Sequence, residues 1–302
     1  MLRRSEIDAP VLLLSQPRLD DIAAAVRFDL RVCVYTPDAI EAAAEAAKRE
    51  RRLARVHLKV DTGMNRVGAA PSDALALARR IAAHGSLELE GVFTHCAVAD
   101  EPGHPFTDTQ LDRFDAVVAE LDADGLRPPL LHAANSATAI EHPRGRYDLV
   151  RAGISVYGIP PAPVLADRVD LRPAMSLRSE VSLVKRVGAG EGISYGLRHV
   201  FDRETTVATV PVGYADGVSR RLGALGAEVL VGGRRRPIVG TVTMDQLMVD
   251  CGDDDVAAGD EVVLIGRQGD ECVTAEEWAE KLGTIAYEVV CGIGPRVPRR
   301  YR

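Results

Sequence analysis

Through its first half this chain repeats one unit, a short apolar strand followed by a helical stretch rich in Ala, Leu, Glu, Asp and Arg. Strands are predicted at 11–15, 32–35, 56–61, 87–95, 130–133 and 149–157. Helical spacing predicts helices over 18–28, 37–52, 71–84 and 107–121. Pro37-Asp38 and Pro71-Ser72-Asp73 look like helix starts, with proline in the first turn. Strand–helix repetition implies a parallel sheet, either a barrel or a doubly wound sheet.

Two features favour the barrel. Polar residues cluster just after nearly every strand: Ser15-Gln16, Asp61 to Arg66, Thr94 to Asp100, His132 to Ser136 and Arg151 to Tyr157. Barrel enzymes build their sites at those strand ends. In addition, no Gly-x-Gly-x-x-Gly follows an early strand. The partial match at 188–192 lies between two strands and reads as a turn. A full barrel needs eight units and about 250 residues. Here the pattern changes near Arg172, and the rest of the chain is strand-rich with frequent Gly and Pro. Its strands are predicted at 181–187, 206–212, 228–231, 238–241, 247–250 and 261–265, with one helix at 275–281. The expected fold is therefore α/β: an incomplete TIM-type (β/α) barrel lacking about two N-terminal units over 1–172, then a mainly β domain over 173–302.

The 302 residues are 46% hydrophobic, enough for sizeable cores in one large or two modest domains. A net charge of -7 disfavours nucleic acid as the default partner. No apolar run approaches the ~20 residues of a membrane span. The apolar run after the basic start is only 11–14, too short for a signal-peptide core. Five cysteines at 33, 96, 251, 272 and 291 have no paired spacing and read as reduced thiols of a cytoplasmic protein. Only four lysines exist, Lys48, Lys59, Lys185 and Lys281, so any lysine chemistry must use one of them.

Within the third strand, Val56, Leu58 and Val60 share one face, and Arg55, His57, Lys59 and Asp61 share the other. Opposed charges on one strand face suit a barrel interior or a site at a strand end, and equally a half-exposed edge strand. Asn135-Ser136-Ala137-Thr138 follows a strand and opens a helix, leaving N–H groups and a hydroxyl for an anion, or forming an ordinary N-cap. Gly153 follows another predicted strand, where backbone can approach a ligand. His95 lies beside Cys96, with Asp100, Glu101 and His104 nearby, but the spacing fits no standard metal motif. His132 can equally be a satisfied core histidine. Tyr195 and Tyr214 sit among glycines, where tyrosine is usually packing; as a base, either needs its pKa lowered from about 10 by nearby cations.

An ordered set of segments covers almost the whole chain: Lys59-Val-Asp-Thr-Gly-Met-Asn-Arg66, Phe93-Thr-His-Cys-Ala97, His132-Ala-Ala-Asn-Ser136, Arg151-Ala-Gly-Ile-Ser-Val-Tyr157, Gly192-Ile-Ser-Tyr-Gly196, Gly213-Tyr-Ala-Asp-Gly217 and Met244-Asp-Gln246. Together they resemble alanine racemase. The resemblance implies a pyridoxal-5'-phosphate enzyme with an N-terminal barrel and a C-terminal β domain. It also implies a homodimer in which each β domain closes the partner's barrel mouth, with alanine as substrate and D-alanine destined for cell-wall peptidoglycan. It implies that His95 stacks on the pyridine ring and that Arg151 hydrogen-bonds its nitrogen. Asn135, Ser136, Gly153, Ile154 and Tyr157 belong to the cofactor site, with Ser136, Gly153, Ile154 and Tyr157 on the phosphate. Arg66 and the Met244 amide bind the substrate carboxylate. Lys59 supports Arg66 and is carbamylated in some members. Tyr195, from the partner subunit, is one of two opposed bases. No metal is implied.

Two departures stand out. The family's Schiff-base lysine, carried in a Val-Lys-Ala-Asn-Ala-Tyr-Gly-His-Gly segment, has no counterpart here, and the chain alone is expected to be inactive. Pro295 stands where the family often has a tyrosine near the phosphate. Three alternatives stay open: a racemase of another small amino acid such as serine, a fold-related decarboxylase of basic amino acids, and a non-catalytic dimer partner. The 192–196 and 244–246 motifs disfavour the decarboxylase.

Overall fold

The computed structural model describes residues 2–301. The chain folds into two compact units, one running through Val156 with Pro160–Leu171, the other comprising Tyr157–Ile159 and the chain from Arg172 onward.

In the first unit, strands β1 (Val11–Leu12), β2 (Leu30–Val34), β3 (Ala54–Lys59), β4 (Leu87–Phe93) and β5 (Leu130–His132) form one parallel sheet in sequential order. A doubly wound sheet reverses its order at a switch point; this one does not, and it is an incomplete barrel. Helices α1 (Leu19–Arg27), α2 (Pro37–Arg49), α3 (Ala74–Ala82) and α4 (Phe106–Ala123) follow β1 to β4 in turn, and the short α5 (Ser136–Glu141) follows β5. The N-cap Thr36 accepts the Ala39 N–H, and Pro37 opens α2. The buried face of α2 is Ala39, Ile40, Ala43, Ala44, Ala46 and Ala47. With Val32, Val34, Val56, Leu58, Leu89, Val92 and Leu131 of the strands, that face belongs to the main core. Alternation then turns Cys33, Arg55, His57 and Lys59 to the opposite face. The third strand lies at the centre of the sheet, so its charged face is barrel interior and not an edge.

The strand expected at 149–157 does not form. Asp148 N–H donates to Leu131 O and Arg151 N–H to Ala134 O, so the segment runs beside β5 without a continuous ladder. Beyond Arg151 the N–H groups of Gly153 and Ser155 turn to the Ser136 hydroxyl, and the chain enters a 3-10 turn at Ile154–Tyr157. Side-chain capture outcompetes strand pairing there.

The second unit is mainly antiparallel. Strands β6 (Leu177–Glu180), β7 (Leu183–Val187), β8 (Gly192–Ile193), β9 (His199–Val200), β10 (Thr205–Val210), β11 (Glu228–Val231), β12 (Arg234–Val239), β13 (Leu247–Gly252), β14 (Glu261–Gln268) and β15 (Glu271–Val273) are followed by α6 (Ala275–Leu282) and α7 (Ala286–Gly292). The main sheet runs β15-β14-β11-β12-β13-β10-β7, with β6 on β14. The single strand expected at 181–187 is broken. Val181 N–H donates to Asp260 O and Ser182 N–H to Thr209 O, so the chain changes partners at that corner. Helix α7 was not expected from its β-branched composition. Ala286, Val289 and Val290, at i, i+3 and i+4, are buried and make it helical. Among the described residues no helix is long and apolar enough to cross a membrane.

Candidate active site

In the first unit the chemistry gathers at the C-terminal ends of β3, β4 and β5. Arg151, from the irregular segment beside β5, is held from several directions. One terminal nitrogen donates to His132 Nδ1 at 2.7 Å. The other donates to Thr94 O at 2.7 Å, Ala133 O at 2.8 Å and His95 Nδ1 at 3.2 Å. Its Nε takes part in none of these bonds. Burial lowers the Arg151 pKa to about 10, so the guanidinium stays charged at neutral pH.

Burial first, and then that fixed cation, set the histidines around it. Burial, then Arg151, Arg66 and Lys59, push His95 down to about 4. Burial, then Arg151 and His57, push His132 down to about 2. Both rings are neutral at pH 7, and His132 stacks on Phe93 at 4.6 Å between centroids. The loop carrying His95 is pinned by Gln110, which donates to His95 O at 3.1 Å and accepts the Ala97 N–H at 2.8 Å. The Thr62 and Thr94 hydroxyls meet at 2.8 Å behind it.

Lys59 ends β3 almost wholly buried, its Nζ donating to Leu14 O at 3.2 Å. Nζ also lies 5.3 Å from the centre of the Phe93 ring. Burial is the main cause that lowers its pKa; Arg66 and Arg151 lower it further, while Cys33 and Asp61 oppose. Arg66 stands exposed on the loop after β3. Asp61 shapes that loop, accepting the Gly63 N–H at 2.9 Å and the Asn65 N–H at 3.0 Å. Lys59 and Arg66 are both cations, so a protonated Lys59 has no lone pair with which to hold Arg66.

Ser136 opens helix α5 (Ser136–Glu141), and the N-cap Asn135 accepts the Thr138 N–H at 2.9 Å. The Ser136 hydroxyl accepts the Gly153 N–H at 2.8 Å and the Ser155 N–H at 3.4 Å. A Cβ at Gly153 would meet nothing closer than Ser136 Oγ at 3.9 Å, so this backbone is open on its free side. The Ser155 hydroxyl, which the sequence reading passed over, is buried without a partner. Ile154 is buried beside it in sequence, and Tyr157 is half-exposed. A helix start beside two hydroxyls and an open stretch of backbone can take a phosphate, which would have to compete with the Ser136 hydroxyl for the Gly153 and Ser155 N–H groups.

In the second unit Tyr195 lies 72% exposed on a tight turn, flanked by Ser194 at φ 62° and Gly196 at φ 78°. Ser194 Oγ donates to Thr241 O at 2.6 Å and Thr241 Oγ1 to Tyr195 O at 3.0 Å, fixing the turn. Tyr195 borders an open cavity of about 620 Å³ with Lys185, Thr243, Gln246 and Met248. Met244 is exposed, and its carbonyl accepts the Ala215 N–H at 3.0 Å beside Tyr214. Arg296 ion-pairs Asp216 at 3.4 Å and Asp245 at 2.7 Å next to Pro295.

Glu90 and Gly91, which face His57, were barely legible in the sequence. Their only signal was a glycine after two alternating glutamates inside a strand, a pattern that can mark a bulge.

Two family models match the chain: "Alanine racemase, N-terminal domain" over residues 1–161 and "Alanine racemase, C-terminal domain" over 174–301. The alanine racemase of Symbiobacterium thermophilum is 51% identical over 99% of this chain and 80% of its own length. That of Thermobifida fusca is 47% identical over 99% and 80%. Among solved structures, alanine racemase from D-cycloserine-producing Streptomyces lavendulae superposes with a TM-score of 0.93 at 42% identity, covering 100% of this chain and 80% of that one. Histidine racemase from Leuconostoc mesenteroides superposes at 0.91 with 29% identity over 100% and 81%.

Proposed function

The chain belongs to the alanine racemase family, and we propose that its reaction is the pyridoxal-phosphate-dependent interconversion of L- and D-alanine that supplies cell-wall synthesis in the cytoplasm, carried out with a Schiff-base lysine that this chain does not itself hold. The observation that carries this reading is the fixed, charged Arg151 guanidinium beside a neutral His95. Bound there, the cofactor would supply an electron sink for the proton lost from the substrate Cα.

This chain's own residues fit that group. Arg151 has Nε–H left to donate to a ring nitrogen. Because a guanidinium keeps its protons at neutral pH, Arg151 would leave that nitrogen unprotonated and the sink weak, which suits a racemase. A neutral His95 can lie against an aromatic ring without charge. Ser136, Gly153 and Ile154 would hold the phosphate, with Tyr157 and Asn135 completing the site, and Ser155 is a further donor. Arg66 would take the substrate carboxylate together with the Met244 amide of the partner's β domain. Lys59 can support Arg66 only as an acceptor, either neutral or carbamylated. Tyr195, from the partner subunit, would hold or deliver the proton on one face of Cα, and a second base must act on the other.

The exposed positions of the second unit favour a homodimer with shared sites. Leu183, Tyr195, Leu197, Val200 and Met244 are all exposed, a concentration of apolar side chains that suits a partner's surface.

None of the four lysines suits the second base. Lys48 and Lys281 are exposed on α2 and α6, Lys185 on β7 lines the same cavity as Tyr195 and so lies with the first base and not opposite it, and Lys59 faces the Leu14 carbonyl. The 302-residue chain alone is therefore expected to bind the cofactor weakly and non-covalently, and not to racemise. Racemisation of alanine, serine and histidine by the purified chain, followed by chiral analysis, tests this. Turnover above trace level, or borohydride fixation of the cofactor to Lys59, would overturn the inactivity. Absence of cofactor binding at millimolar concentration would overturn the cofactor assignment itself.

A further inference from the structure

We propose that Glu90 is a positioning residue for Arg151, acting through a one-way chain of hydrogen bonds that runs Arg151 to His132 to His57 to Glu90. The inference rests on the reading that Arg151 faces the cofactor. Its direction follows from donor chemistry alone. A guanidinium has no acceptor, so the 2.7 Å contact makes His132 Nδ1 the acceptor. A neutral His132 then carries its proton on Nε2, which faces His57 Nδ1 at 3.0 Å. His57 Nδ1 must accept, so His57 also carries its proton on Nε2. That proton points to Glu90 Oε2 at 3.0 Å. A carboxylate is an acceptor only, so it ends the chain and leaves one consistent arrangement of protons. Arg31 at 3.2 Å and Arg55 at 3.6 Å hold the Glu90 carboxylate in turn.

The backbone is built for this contact. Pairing of β3 with β4 runs Val56 to Leu89 and then His57 to Gly91, so Glu90 is an extra residue in a parallel sheet. Such a bulge breaks the alternation and re-aims a side chain. Glu90 and Gly91 thus both face His57, whereas Leu89 and Val92 pack with the helices. A Cβ at position 91 would lie 2.4 Å from His57 Nδ1, so glycine there leaves room for the ring. Burial lowers both His57 and His132, which keeps the two rings neutral although Glu90 and its hydrogen bond pull His57 the other way.

The test is nitrogen NMR of the histidine rings and arginine side chains in the full 302-residue chain, without cofactor. His57 and His132 are expected as neutral Nε2–H tautomers at pH 7, with Arg151 side-chain protons slow to exchange. Glu90→Gln keeps an acceptor and is expected to preserve both tautomers. Glu90→Leu is expected to release the His57 tautomer and to move the His132 and Arg151 signals as well. An Nδ1–H tautomer on either ring in the parent chain would overturn the proposal. So would a Glu90→Leu variant that stays folded by its amide spectrum and changes His57 alone. If Glu90→Leu does not fold, the parent and Glu90→Gln tautomers decide it. Failure to bind cofactor with both tautomers intact would count against the function proposed above and not against this chain of bonds.

Discussion

Gly91 and His57 occupy each other's space: the Cβ that any other residue would bring to position 91 falls 2.4 Å from His57 Nδ1 and 2.5 Å from Cε1. The ring is buried at the centre of a parallel sheet and bonded on both nitrogens. It has no free direction in which to retreat.

Gly91→Ala is therefore expected to destabilise the first unit by about 1–3 kcal/mol, the usual cost of overpacking a core. Gly85→Ala is the control, because a Cβ there meets nothing within 4 Å. Urea unfolding of both variants checks this. Equal midpoints would mean that the sheet yields around His57.

Acid should weaken the first unit. In the unfolded chain each histidine takes a proton near 6.5, whereas His57, His95 and His132 are all depressed in the fold, His95 to about 4 and His132 to about 2. Below 6.5 the unfolded state binds more protons, so stability rises with pH. The contribution is complete above 6.5 and is lost as pH falls through that value towards the folded pKa values. For the fully buried His132 the slope is ~1.4 kcal/mol per pH unit. Hydrogen exchange of the β3 and β5 amides between pH 7 and 5 measures it, and protection independent of pH would contradict it.

Lys59 has the same sign over a higher window. Its depressed pKa means that the unfolded chain holds the proton more tightly below 10.5. A charged Lys59 thus opposes folding at pH 7. Lys59→Met keeps the length and removes the charge, and is expected to raise the urea midpoint at pH 7. The gain should shrink as pH rises towards 10.5. A lower midpoint at pH 7 would mean that the bond to Leu14 O outweighs the burial of the charge.

Ser136→Ala removes the acceptor for the Gly153 and Ser155 N–H groups and one hydroxyl of the proposed phosphate site. A loss of about tenfold in affinity, ~1.4 kcal/mol, is expected for pyridoxal phosphate and little for pyridoxal. Fluorescence titration with both compounds reads the difference. Equal losses would place the phosphate elsewhere.

Much of the site was legible in residue types. Asn135-Ser136 marked a helix start, as an anion site or an ordinary N-cap alike, and the charged face of 55–61 suited an interior and an edge strand equally, until the central place of β3 in the sheet decided it. The roles proposed for Arg151, His95 and Tyr195 rest on resemblance, because a lone arginine, histidine or tyrosine carries no signature of its partners. The misread segment at 149–157 had strand composition, but the Ser136 hydroxyl drew its N–H groups away. That acceptor is remote in sequence, so no local pattern could reveal it.

The sequence by itself determined the class of fold, since repeated apolar periods of strand and helix leave few ways to bury their faces. It also determined the shortage of lysines, which is composition and needs no coordinates. Only the tertiary structure decided the register of β3 against β4, and with it the placing of Glu90 and Gly91 on one side of the sheet. Register depends on how two strands pack together, and a slip of one residue exchanges the faces without altering either strand's pattern. The bonds from Arg151 to Glu90 follow from that slip.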